Sequence, residues 1–189
     1  MRREFVATGF GGQGIVLMGV TACIAAGKYD RKNVTQTQSY GPASRGGACR
    51  TDVVISDERI DYAKALAPDV LIVMSNQARD KYIGDVNPDK GIVIVDSALV
   101  QEMPGNLKRL YRVPATEIAE MQLGQRIVAN MVMLGAAAVL GGLFTREALE
   151  SAIRESADPK RVEANLRAVD AGYEFGKSLV ATEGAAPAS

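Results

Sequence analysis

Histidine is absent from this chain of 189 residues, and cysteine occurs only twice, at Cys23 and Cys49. Without histidine, the side chain that most often shuttles protons or ligates a metal near neutral pH is missing. Two cysteines are too few for a disulfide framework, stand outside the paired spacing of a zinc ribbon, and cannot supply the four thiolates of an iron-sulfur cluster. Cys23 lies in an apolar segment and reads as buried packing. A carboxylate-rich magnesium signature is lacking too. Charge of one sign is not in excess: 22 Lys and Arg balance 22 Asp and Glu, so no net field draws the chain to nucleic acid or to an anionic membrane. The amino terminus, Met1-Arg2-Arg3-Glu4-Phe5, enters an apolar strand directly with no signal-peptide core, which points to a cytoplasmic protein. The longest apolar stretch, Ile127 to Phe144, is short for a bilayer span, is interrupted by Asn130 and Gly135, and lacks aromatic belts. It reads as a buried helix ending at the Gly141-Gly142 pair.

What is present is enough apolar sequence, 47% of residues, to build one domain with its own core. Runs of strand length occur at Phe5 to Thr8, Asn33 to Gln38, Thr51 to Ile55, Asp69 to Met74 and Gly91 to Asp96. The last two are continuous and β-branched, as strands buried on both faces are. Helical segments are expected at Gln13 to Ala26, Asn76 to Ile83 and Ala98 to Met103. From Val113 the chain turns helical, with Thr116 expected to cap Glu117 to Leu123, Thr145 to cap Arg146 to Arg154, and Asp158-Pro159 to start Lys160 to Val180. The expected fold class is α/β: an open, mostly parallel sheet with a Rossmann-like glycine loop and a helical C-terminal third. A single domain over residues 1–181 and a frayed tail over 182–189 complete the expected organisation.

The first informative motif is Gly9-Phe10-Gly11-Gly12-Gln13-Gly14, placed between a strand and a helix. Its glycines fit G-x-G-x-x-G, where missing side chains permit positive φ and close backbone approach, and the amides of the following helix face an anion. Gly11, Gly12, Gln13 and Gly14 are therefore candidate phosphate-binding residues. A dinucleotide site also needs an acidic residue about 20 residues on, at the end of the second strand, to hold a ribose hydroxyl. That strand ends instead in Ser39-Tyr40, and Asp30 precedes it. NAD is disfavoured, leaving a phosphate cradle without a ribose reader.

The second motif is the glycine-dense stretch Ser39 to Ala48, too long for a minimal hairpin turn. In an open sheet, ligands gather at the carboxyl ends of strands, so this loop is expected to face the crevice of the glycine loop. Arg45 is a natural countercharge for phosphate, with loop bracing as its alternative role. Ser39 is a candidate ligand contact or a turn hydroxyl, and Tyr40 suits packing at an interface.

Together, Gly9 to Gly14, Gln36 to Ala48, Ile55 to Ile60 and Asn130 to Ala136 resemble the gamma subunit of 2-oxoacid:ferredoxin oxidoreductases, over roughly Arg3 to Phe175. The Gln38-Ser39-Tyr40-Gly41-Pro42 form is most similar to the 2-oxoglutarate enzyme's gamma subunit, and pyruvate, branched-chain and indolepyruvate relatives share much of the pattern. The resemblance implies an assembly that converts a 2-oxoacid, coenzyme A and oxidised ferredoxin to acyl-CoA, carbon dioxide and reduced ferredoxin. It further implies that thiamine diphosphate, magnesium and the 4Fe-4S clusters belong to partner alpha, beta and delta subunits. No catalytic residue is then expected here, and no activity from this chain alone. Coenzyme A would be bound partly by Gly11, Gly12, Gln13, Gly14, Ser39 and Arg45. Two other readings stay open: a free-standing nucleotide-dependent oxidoreductase, and a purely structural partner whose glycine loop touches no phosphate.

Overall fold

A glycine loop can cradle an anion only if a strand and a helix hold it in place, and both are formed. The computed structural model describes residues 1–39 and 47–184. Strand β1 (Arg2–Phe10) leads through the loop into α1 (Ile15–Cys23), which ends in a wider π-helical turn, Ile24–Tyr29. Next come β2 (Asn33–Ser39), β3 (Ala48–Ser56), β4 (Val70–Val73), α2 (Asn76–Tyr82), β5 (Ile92–Asp96) and β6 (Leu110–Val113). The C-terminal third consists of α3 (Ala115–Glu117) with a π-helical extension, α4 (Ala129–Gly141), α5 (Arg146–Ser156) and α6 (Val162–Gly184).

The six strands form one sheet in the order β2-β3-β1-β4-β5-β6. β1, β4, β5 and β6 run parallel, while β3 is antiparallel to both β1 and β2. The sheet is thus α/β and mostly parallel, as expected. Alternation along the strands sorts the core into two layers. Phe5, Ala7, Val53, Ile72 and Ile94 pack under α1, α4, α5 and α6, whereas Val6, Leu71, Val73, Val93 and Val95 face Ala65 and Val100 on the other side.

Helix α4 is buried almost throughout and ends at Gly142, whose φ of 57° closes it in the left-handed conformation. No helix among the described residues is long and apolar enough to cross a membrane. Helix α6 lies against α4 so closely that a Cβ on Gly172 would overlap the carbonyl oxygen of Val132, and one on Gly135 that of Val169. Backbone on backbone leaves no soft side chain to yield, so α6 is fixed against α4 around Val169 and Gly172.

Thr145 caps α5 as expected, accepting from the amide of Ala148. Three expectations are corrected. Residues 98–103 are not helical: the Asp96 carboxylate accepts from the amide of Ala98 at 3.2 Å, which commits the segment to a turn, and Pro104 disfavours helix at the residue before it. Thr116 is not a cap. It lies inside α3, behind Pro114 at the N-cap, and its hydroxyl donates to Asp96 Oδ2 at 2.6 Å. The last helix starts two residues later than expected, because Asp158 accepts from Lys160 and Arg161 in a preceding turn, and it runs on through residues 182–184. Strand β6 was not anticipated: four residues with Arg112 exposed carry little of a buried strand's signature.

Candidate phosphate site at the glycine loop

The chain leaves β1 for the β2-β3 hairpin on one side and returns to β4 on the other. That reversal opens a crevice at the carboxyl ends of β1 and β4, the usual ligand position in open α/β sheets. The glycine loop fills its floor. The Gln13 amide nitrogen donates to the Phe10 carbonyl at 3.3 Å, and the Gln13 Oε1 accepts from the Phe10 amide at 2.8 Å, which closes the turn. Gln13 Nε2 donates to the Met74 carbonyl at 2.8 Å, tying the loop to the end of β4. Gln13 thus acts through the loop's shape.

Gly12 and Gly14 have φ of 96° and 72°, a region that L side chains rarely occupy. At Gly11 and Gly12 a Cβ would meet nothing within 4 Å, so among the described residues none fills the room above the loop. Gly14 is the N-cap of α1 and has no side chain to accept from the first-turn amides, and that turn contains no acidic residue. Its partial positive charge is left for an external acceptor.

Two cavities flank the loop. The first, about 420 Å³, is lined by Gly11, Gly12 and Gly14 with the first turn of α1, Cys49, Arg161 and Asn165. The second, about 370 Å³, is lined by Gly11, Gly12 and Gln13 with Met74, Leu99, Arg126 and Ile127. Among the described residues, no carboxylate lines either one, and both suit an anion better than a cation. Between them stands Asn130, 4% exposed, whose Nδ2 donates to the Gly14 carbonyl at 3.3 Å and whose Oδ1 accepts from the Met131 amide at 3.0 Å.

Of the six candidates from sequence, Gly11, Gly12, Gln13 and Gly14 come together here. Ser39 ends at the same edge of the sheet, but it lines a separate cavity of about 310 Å³ with Arg50, Asp52 and Lys64. Its strand position pairs with Arg50 rather than with Thr51, so alternation turns it to the face opposite α1. Arg45 and Tyr40 lie outside the described residues. Asp30, the acid nearest the second strand, accepts from the amide and hydroxyl of Thr145 at 2.8 and 2.7 Å and so cannot serve as a ribose reader.

Four residues were assigned no role from sequence: Arg126, Asn130, Arg161 and Asn165. The signal available was polarity in an apolar context, an amide inside the run 127–144 and another on the buried face of α6. Asp96, at the end of β5, is wholly buried. Burial pushes its carboxyl above the usual range, against the hydrogen bonds from Thr116 and Ala98 and the nearby charge of Arg126. Its three donors mark it as the staple between β5 and α3. The thiol of Cys23 is pushed up to about 12 by burial, as suits packing.

A family model described as pyruvate ferredoxin/flavodoxin oxidoreductase matches residues 4–175. Subunit KorC of the 2-oxoglutarate synthase of Methanocaldococcus jannaschii is 47% identical over 181 residues, spanning 95% of this chain and 96% of that protein. Among solved structures, the gamma subunit of a keto/oxoacid ferredoxin oxidoreductase from Geobacter sulfurreducens aligns with a TM-score of 0.83 at 36% identity, covering 93% of this chain and 99% of that one. The 2-oxoglutarate:ferredoxin oxidoreductase of Magnetococcus marinus, solved with 2-oxoglutarate, coenzyme A and succinyl-CoA bound, aligns with a TM-score of 0.80 at 19% identity over 94% of this chain and 31% of its own. That last likeness shows the shared fold.

Proposed function

The chain is a gamma-type subunit of the pyruvate ferredoxin/flavodoxin oxidoreductase family, and on that premise we propose that its complex oxidises 2-oxoglutarate with coenzyme A and ferredoxin. In this reading, partner alpha and beta subunits, with a delta subunit where present, hold thiamine diphosphate, magnesium and the 4Fe-4S clusters. This chain contributes the diphosphate cradle for coenzyme A and a face for assembly. The 2-oxoglutarate assignment rests on the archaeal relative that matches nearly end to end.

The observation that carries the coenzyme A assignment is the open space over Gly11 and Gly12 at the side-chain-free N-cap of α1. A diphosphate needs backbone amides at close range and room for its oxygens, and glycine at those positions supplies both. The residues present fit such a group, because any side chain at Gly12 would project into the volume it needs. Coenzyme A brings the thiol that accepts the acyl group; this chain's part is to bind and orient the nucleotide end. The absence of an acidic ribose reader is consistent with that, because its nucleotide carries a phosphate on the ribose.

The test is reconstitution. The chain combined with its partner subunits should support reduction of a viologen dye that depends on 2-oxoglutarate and coenzyme A, with pyruvate and branched-chain 2-oxoacids turned over more slowly. The chain alone should show none. Turnover by the isolated chain, or a preference for another 2-oxoacid, would contradict the corresponding part of the proposal.

A further inference from the structure

Asn165 is 7% exposed, lines the 420 Å³ cavity beside the glycine loop, and its side-chain amide meets no hydrogen-bond partner among the described residues. Its carboxamide atoms are not sealed in the interior, where Arg3 Nε is the one unpartnered side-chain polar atom among the described residues, so they open on the cavity with their donor and acceptor free for a ligand. One helical turn earlier, Arg161 lines the same cavity, and its carbonyl accepts from the Asn165 amide nitrogen at 2.9 Å. The i, i+4 spacing puts both side chains on one face.

Arg161 is also out of place by local rules. It precedes the first residue of α6, where a cation opposes the helix dipole, and no described carboxylate pairs with its guanidinium. Arg126, on the far side of the loop, has its charge taken up by Glu120 at 2.6 Å. The first acidic residue of α6, Glu163, does not line the cavity. An exposed guanidinium with no described carboxylate partner and a carboxamide that opens on the cavity thus share it with the amides of a glycine loop. Phe10, 41% exposed, offers a ring at its edge. The second cavity, with Met74, Leu99 and Ile127, has the more apolar wall.

We propose that Arg161 and Asn165 recognise the adenosine 3′-phosphate end of coenzyme A in the first cavity, Arg161 holding the ribose phosphate and Asn165 hydrogen-bonding the adenine edge. This rests on the reading of the glycine loop as the diphosphate cradle. With the diphosphate over Gly11 and Gly12, the two arms of the molecule leave on opposite sides, and the cavities lie on opposite sides. The guanidinium fork suits a phosphate. A carboxamide presents a donor and an acceptor that match the N6 and N7 edge of adenine. The pantetheine arm, mostly methylene and methyl, takes the second cavity.

The test compares Michaelis constants for coenzyme A and 3′-dephospho-coenzyme A in the purified complex. Arg161→Ala should raise the value for coenzyme A roughly ten- to a hundredfold and leave that for the dephospho analogue unchanged. Asn165→Leu should raise both by roughly three- to tenfold, with the thermal midpoint unchanged. Equal losses on both ligands for Arg161→Ala, no loss for either variant, or destabilisation by Asn165→Leu without loss of affinity would overturn the pairing. Gly12→Val separates the two levels. If it weakens coenzyme A while the Arg161 and Asn165 variants do not, only this pairing fails; if it too has no effect, the cradle itself is wrong.

Discussion

The Asn130 side chain donates to the carbonyl of Gly14 across 3.3 Å, joining the buried helix α4 to the glycine loop at the residue where α1 begins. Asn130 and Gly14 are mutually dependent, since a Cβ on Gly14 would overlap the Asn130 amide nitrogen. One residue is small so that the other can brace it. Asn130→Ala leaves the Gly14 carbonyl and the Met131 amide without these contacts, and should cost about 1 to 2 kcal/mol of stability. If the brace sets the cradle's shape, the Michaelis constant for coenzyme A should rise as well. Denaturant titration and steady-state kinetics on the same preparation check both, and a purely stability-linked effect would confine Asn130 to packing.

The contact between α4 and α6 predicts a sharp contrast between two glycines. Gly172→Ala drives a methyl group into the Val132 backbone, and should destabilise by roughly 1 to 3 kcal/mol despite alanine's better helix propensity. Gly84→Ala meets open space and should be close to neutral. Thermal unfolding of the two variants measures the difference.

Arg45 remains a candidate for the diphosphate from sequence. Ala48, three residues on, pairs in register with Phe10 at the end of β1, so the strand that follows Arg45 begins beside the cradle. Arg45→Ala should raise the Michaelis constant for coenzyme A by roughly ten- to a hundredfold, with decarboxylation of the 2-oxoacid before coenzyme A is needed left intact. Loss of subunit association with unaltered coenzyme A affinity would assign Arg45 to an interface instead.

Asp57 supplies a pH dependence of known sign. The Lys32 ammonium and the amino-terminal ammonium hold its carboxyl down at about 2. A carboxyl lowered in the fold contributes stability above its unfolded value of about 3.9 and loses it as pH falls through the folded value. Asp57→Asn should therefore flatten the acid limb of stability between about pH 4 and 2, by a small amount because the pair is solvated. Urea midpoints across that range test it; an unchanged slope would show that the ion pair is too screened to matter.

The parallel core was legible because β4 and β5 are continuous runs, β-branched apart from Leu71 and the closing Asp96, as strands buried on both faces are. The glycine loop was legible because positive φ selects glycine. The helix expected at 98–103 failed because Asp96 spends its carboxylate on the following turn, a choice invisible to apolar periodicity. Arg161 and Asn165 were hidden for a different reason. They lie about 150 residues from the loop they face, and only the close crossing of α6 on α4 brings them there. Ser39 shows the converse: the strand end was placed correctly, but the side chain's face depended on a pairing register that no single strand reveals.

The most direct test of the coenzyme A cradle is the Michaelis constant for coenzyme A in a complex carrying Gly12→Val. Valine at a φ of 96° is strained, and its side chain enters the space above the loop. The cradle reading predicts a complex that assembles, decarboxylates the 2-oxoacid in the first half-reaction, and requires at least tenfold more coenzyme A, about 1.4 kcal/mol of lost binding. An assembled Gly12→Val complex with wild-type dependence on coenzyme A would contradict it and leave the glycine loop a structural joint.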